Sequence, residues 1–305
     1  MEVVRDVLGD IPGELHERPW VNFAHNRTEL MQLAKGKAQW LLCMDADEAI
    51  LGKLDASKLD TNIEAYFIEY RISGFTYHVP RLIRGDIGWI WKGVVHEFIC
   101  LPDGTFGQRV VLQGCQLKHY DDGGFRHKDR HETLESDRKL LEGATADDPN
   151  DHRSWFYLGQ TYSELRMYSS ALKAYQQRVT LGGWEEEKYY AQFQVGSMWS
   201  LLGLKAEALS AWLTAWQLRP SRVEALHAAI VQLRLDGNYQ TAYLLADHAI
   251  KLPSSTDWLF VHPDLLEFEI PLEHSICADY VNGAEACLKE SEYLLQIPNL
   301  PAHIR

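Results

Sequence analysis

The feature that most constrains the fold is a spaced pattern in the second half of the chain. Trp155, Leu158, Gly159 and Tyr162 follow one another at offsets of a single helix face, and Ala171 and Tyr175 come after them. The next cycle carries Gly196, Trp199, Ala208 and Trp212, with Pro220 behind them. A third carries Ala242, Ala246 and Pro253, and a weaker fourth runs through Tyr280, Gly283 and Ala286 to Leu295. The steps from Ala171 to Ala208 and from Ala208 to Ala242 are 37 and 34 residues. Small residues at fixed intervals let paired helices approach, and the Trp and Tyr between them fill the gap to the next pair. A chain with this pattern stacks helical hairpins.

The period agrees with the roughly 34 residues of a tetratricopeptide repeat, and residues 155–162 match its W-x-x-L-G-x-x-Y opening. The aromatics are expected to be core. Stacked repeats of this kind form a groove suited to a peptide or protein segment.

Before the repeats the chain reads differently. Residues 39–44, 65–72 and 108–117 are short runs rich in β-branched and aromatic residues, and read as strands. Residues 24–35 read as a helix with Leu30, Leu33 and Ala34 on one face. The mixture predicts an α/β or α+β domain. The polar stretch 145–151, with Pro149, reads as a hinge or helix boundary. At 305 residues the chain suits two domains, taken here as 1–144 and 145–305.

A net charge of -13 argues against general nucleic-acid binding, which needs an excess of Lys and Arg. The five cysteines show neither a C-x-x-C pair nor zinc spacing, and most lie in apolar runs as buried thiols suited to a reducing compartment. No secretory signal pattern and no apolar run of about 20 residues is visible. A cytoplasmic protein without a membrane span is the expectation.

The tetrad Asp45-Ala46-Asp47-Glu48 closes the apolar run 39–44. Two carboxylates delivered by a strand end can hold a hard divalent cation. Solvated acids at a strand end are the plainer reading. Arg27 stands near a helix start, where it either favours an anion or pairs with one of the acids. His96-Glu97 offers an acid–base pair, or a salt-bridged Glu at a loop edge. Lys128 and Arg130 lie in the basic stretch 125–131, read as a lid or as a solvated linker. His119 ends a strand, as a metal ligand or as an ordinary polar residue.

Several stretches together resemble the inverting family-2 glycosyltransferases of the Rossmann-like GT-A α/β fold, in the subgroup with a C-terminal tetratricopeptide tail. They are Trp20, Phe23, Asn26-Arg27, Ala34-Lys35-Gly36, Trp40 and residues 45–48 in that order, then Pro80-Arg81-Leu82-Ile83-Arg84, residues 91–97 and His119-Tyr120. The resemblance implies a metal-dependent sugar transfer from a nucleotide-diphosphate sugar to a peptide, protein or glycan acceptor. It implies Mn or Mg held by Asp47 and His119, with Asp45, Arg27, Lys128 and Arg130 about the donor. Glu97 or His96 would then be the base. Glu48 sits beside the same site.

The family's first two strands and a base-contacting aspartate have no counterpart, so a shortened or incomplete GT-A domain is expected. Uncovered sheet edge makes a homo-oligomer an expectation as well. The alternative is an inactive, truncated transferase relic, acting as an adaptor through its repeats. A metal-dependent phosphohydrolase would use similar carboxylates but leaves residues 20–28 and 91–97 unexplained.

Overall fold

The computed structural model describes residues 2–72, 75–120, 129–297, 300–302 and 304. The first helix, α1 (Glu2–Leu8), leads into a largely exposed stretch. Helix α2 (Phe23–Ala34) starts at Asn22, whose side chain accepts a 2.8 Å hydrogen bond from the His25 amide. This satisfies one of the free amides at the helix start.

Strands β1 (Trp40–Leu42), β2 (Glu48–Gly52), β3 (Ala65–Ile72), β4 (Phe75–Arg84) and β7 (Arg109–His119) form one sheet in the order β1-β4-β3-β7-β2. Strands β5 (Ile90–Lys92) and β6 (Phe98–Cys100) form a separate antiparallel pair. In the larger sheet only β3 and β7 run parallel; β1 with β4, β3 with β4 and β2 with β7 are antiparallel. The Rossmann-like arrangement expected from the GT-A resemblance is a mainly parallel sheet with helices on both faces. The described strands form a mainly antiparallel sheet instead. Met31 of α2 packs with Ala65, Ile83, Trp89 and Ile99 to make the core on one side.

From Arg130 onward the described chain is helical. Helix α3 (Arg130–Asp147) precedes four hairpins: α4 (His152–Glu164) with α5 (Tyr168–Thr180), α6 (Glu185–Leu201) with α7 (Lys205–Leu218), α8 (Glu224–Leu235) with α9 (Tyr239–Ala249), and α10 (Ile270–Asn282) with α11 (Ala284–Leu294). The expected domain boundary at 144/145 lies inside α3, and the polar stretch with Pro149 forms the turn into α4. A π-type turn (Leu265–Glu269) opens α10.

The small residues sit where the helices touch. Ala171, Ala208, Ala242 and Ala246 are fully buried. A Cβ placed on Gly159 would fall 2.8 Å from the Tyr175 ring, and one on Gly196 would fall 2.3 Å from Trp212. Only glycine permits those approaches. Tyr175 and Trp212 are themselves almost completely buried, as expected of core aromatics, whereas Trp155, Tyr162 and Trp199 are half-buried and Tyr280 is exposed. Two buried pairs also hold the inter-helix turns: Arg178 with Glu187, and Arg222 with Glu224.

Candidate functional site

The residues singled out from the sequence fall in two places. The first is the turn between β1 and β2, where the Glu48 amide bonds to the Asp45 carbonyl at 3.1 Å. Asp45 accepts from Arg27 at 2.6 Å and from Arg81 at 3.2 Å. Arg81 also binds Glu48, and Arg27 reaches Glu97 at 3.2 Å. Three carboxylates thus surround two guanidiniums. Arg81, Glu48 and Glu97 are well shielded, at 11%, 6% and 13% exposure. Arg27 is further held 4.7 Å above the Trp91 ring. The Thr28 hydroxyl accepts from the Trp91 amide at 2.8 Å, tying α2 to β5. Arg27 therefore pairs with two acids, Asp45 and Glu97.

Asp47 turns elsewhere. Its carboxylate lies 3.2 Å from His119 Nε2, off the hydrogen-bonding direction, and its carbonyl accepts from the Tyr120 amide at 2.8 Å. The pairing of β2 with β7, Glu48 opposite His119, brings these groups together. A Mn or Mg ion needs more oxygen ligands than this. Among the described residues no group of three His, Cys, Asp or Glu side chains is placed to hold a metal. The acids on either side are engaged elsewhere, Glu48 by Arg81 and Asp45 by Arg27 and Arg81. The described donor set therefore does not fit the expected ion.

His96 and Glu97 do not form an acid–base pair. They lie in the loop between β5 and β6 rather than on a strand, and His96 has φ +51. Its ring stacks 4.3 Å from Tyr157 of α4, while Glu97 faces Arg27. Desolvation lowers the His96 pKa, although part of the side chain stays exposed. Burial pushes the neighbouring Cys43 thiol up to about 11, so it stays protonated at neutral pH. Arg130 is the first residue of α3, 81% exposed, and pairs with Glu164 at 2.7 Å. Asp129 caps that helix, so this end of the expected lid is a helix start. Lys128 lies outside the described residues.

The second place was not singled out from the sequence. Between α9 and α10 the chain makes a long excursion through residues 250–264 and returns across the first helices of the hairpins. The Glu186 carboxylate accepts from the Trp258 and Leu259 amides at 2.7 and 2.8 Å. Arg222 donates to the carbonyls of Leu259 and Phe260 at 3.0 and 2.9 Å. Glu224 accepts from the His262 amide at 3.1 Å. Asp257, only 5% exposed, is gripped by Arg219 at 2.6 Å and by Arg222 at 3.3 Å. The Phe260 ring lies 4.8 Å from Tyr190 and 6.5 Å from Phe156. Phe260 has φ +47, a conformation that costs free energy for a side chain of this size. Trp258 turns outward to the sheet, 5.1 Å from Phe67 and 4.7 Å from His78.

Two signals pointed to this segment. The connection is longer than the roughly 2–8 residues usual between bundle helices. It also carries the apolar run Trp258-Leu259-Phe260, without helical spacing, between Pro253 and Pro263.

No family model matches the chain, and no curated protein matches it. Similar solved structures are repeat proteins. One is described as YrrB, a TPR protein with an unusual peptide-binding site, at 14% identity and TM-score 0.44, over 57% of this chain and 81% of that one. Another is the MamA protein, at 16% identity and TM-score 0.44, over 54% of this chain and 82% of that one. A third is pilF of Pseudomonas aeruginosa, at 12% identity and TM-score 0.43, over 55% and 71%. The resemblance to a metal-dependent family-2 glycosyltransferase is corrected by these findings. No family model supports a transferase, and the expected acids are paired with arginines or dispersed. The assignment as a glycosyltransferase goes with it. No described helix is long and apolar enough to cross a membrane.

Proposed function

We propose that this protein is an interaction adaptor whose repeat array binds an extended segment of another protein along the face built from the first helices, α4, α6 and α8. One observation carries the reading. That face already holds a non-helical segment through side-chain bonds to its main chain, with Glu186, Arg222 and Glu224 reading three amides and two carbonyls. Main-chain recognition gives affinity to any extended segment, and the aromatic slot beside Phe156 and Tyr190 adds selectivity. The salt-bridged cluster around Arg27 and Arg81 then has a structural part: it fixes α2 and the β5–β6 hairpin onto the sheet. A peptide-display selection on the intact protein tests the reading. Enriched peptides are expected, and their capture is lost in Glu186→Ala and Tyr190→Ala. Enrichment that survives both substitutions, or no enrichment, refutes it.

A further inference from the structure

The contacts of residues 257–262 define a ligand as well as a loop. Asp257 sits between two guanidiniums, its own carboxylate and Arg222 buried and Arg219 partly open to water. The next two amides go to one carboxylate oxygen, Glu186 Oε2. The two carbonyls after that accept from a single guanidinium, Arg222, whose remaining donors go to Glu224 and Asp257. The Phe260 ring enters the slot between Phe156 and Tyr190. These bonds run between side chains of the array and the main chain of the segment, which is how a protein grips a peptide that is not part of its own sheet or helix. The segment joins two helices at its ends and belongs to neither. It remains partly exposed along its length, and Pro253, Ser254, Pro263 and Asp264 at its margins are exposed.

Resting on the adaptor reading, we propose that residues 257–262 are an in-cis occupant of the partner's own site. The partner is then a protein segment with the same chemistry: a carboxylate followed directly by a bulky residue, then an apolar residue, then an aromatic one at which the backbone turns. The in-cis segment acts as a competitor, and a partner binds by displacing it. The charge on the site agrees, since Arg219 and Arg222 meet the incoming carboxylate. The geometry also says what the segment does in the closed state. Trp258 spans to Phe67 and His78, so an occupied groove is one docked against the sheet.

A competitor that is tethered has an effective concentration in the millimolar range, so a free peptide binds the intact chain weakly until that competitor is removed. The apparent affinity is reduced by the fraction of time the site stands open. The test uses the full chain and a fluorescent peptide carrying residues 252–264. The double variant Trp258→Ala/Phe260→Ala is expected to bind it about tenfold or more tightly than the wild-type chain does. A scrambled peptide of the same composition is expected not to bind.

Should the folded double variant fail to bind this peptide while display-selected peptides still bind at Glu186 and Tyr190, the inference falls and the adaptor reading stands. If no peptide of either kind binds, the adaptor reading falls and the inference with it. Should the double variant fail to fold, hydrogen exchange on the wild-type chain decides. An excess of isotope-labelled peptide is expected to speed exchange at the Trp258 and Leu259 amides, and unchanged protection overturns the inference.

Discussion

Two glycine-to-alanine substitutions make a sharp test of how the array is built. In helix interiors the exchange gains up to about 1 kcal/mol, because alanine loses less backbone freedom on folding. Gly143 in α3 is exposed, with nothing within 4 Å of where a Cβ would lie. Gly143→Ala is expected to stabilise by about 0.5–1 kcal/mol. At Gly196 the same methyl group falls 2.3 Å from Cδ1 and 2.4 Å from Nε1 of Trp212. That ring is 5% exposed and has nowhere to move, so the α6–α7 hairpin must open by roughly an ångström. Overpacking of this kind costs about 1–3 kcal/mol, which outweighs the helix gain. Thermal melts followed by circular dichroism read both effects, at roughly 2 °C per kcal/mol for a chain of this size. Gly143→Ala rises by about 1–2 °C and Gly196→Ala falls by about 2–4 °C. In a Trp212→Leu background, where the ring is gone, Gly196→Ala is expected to become neutral or stabilising. If Gly196→Ala raises the midpoint in the native background, the close helix approach assigned to it is wrong.

Arg222→Ala strips a fully buried guanidinium from Glu224, Asp257 and two carbonyls, and chemical denaturation is expected to show a loss of about 3–5 kcal/mol; Arg219→Ala, at a more exposed site, costs far less. Arg81→Met leaves the shielded Glu48 uncompensated and is expected to cost about 3 kcal/mol or more, most of which Arg81→Met/Glu48→Leu recovers; equal losses in single and double variants would remove the buried pair from the account. Burial lowers the pKa of His78 and of His262, so both are neutral in the folded state near pH 7. Their contribution is complete above the unfolded value of about 6.5 and is lost as pH falls below it. Protection of the Trp258 and Leu259 amides should therefore decline as pH falls below about 6.5. His262→Gln is expected to flatten that decline.

The parts that were legible in the sequence are those encoded over short distances. The Gly159–Tyr175 and Gly196–Trp212 contacts join helices of one hairpin, so a periodic pattern reports them directly. Residues 65–72 form β3 as expected, and residues 24–35 lie within one residue of α2. Residues 108–117 are offset from β7, which starts at Arg109 and runs on to His119. The charged site was harder for a physical reason. Whether Asp45 meets a metal or a guanidinium depends on Arg81, which reaches it only because β4 pairs with β1. The two acids of Asp45-Ala46-Asp47 read as one site because they are close in sequence, yet one faces two arginines and the other a histidine. Strand direction was similarly hidden, since hydrophobic runs do not say which neighbour is parallel. The segment at 250–264 obeys no period, and its partners lie between 35 and 73 residues away for the bonds to Arg222 and Glu186.

That segment also orders events in time. Its partners include Phe67 on the sheet, Phe156 on α4, Glu186 on α6 and Glu224 on α8. It has no surface to dock on until all four elements are in place, and contacts this distant in sequence form late because loop closure precedes their reward. Its docking is expected late in folding and its release early in unfolding. While docked, it adds to the contacts that already join the strands to the helices, His96 on Tyr157 and Arg153 over Phe98, so sheet and helices are expected to melt together rather than as separate bodies.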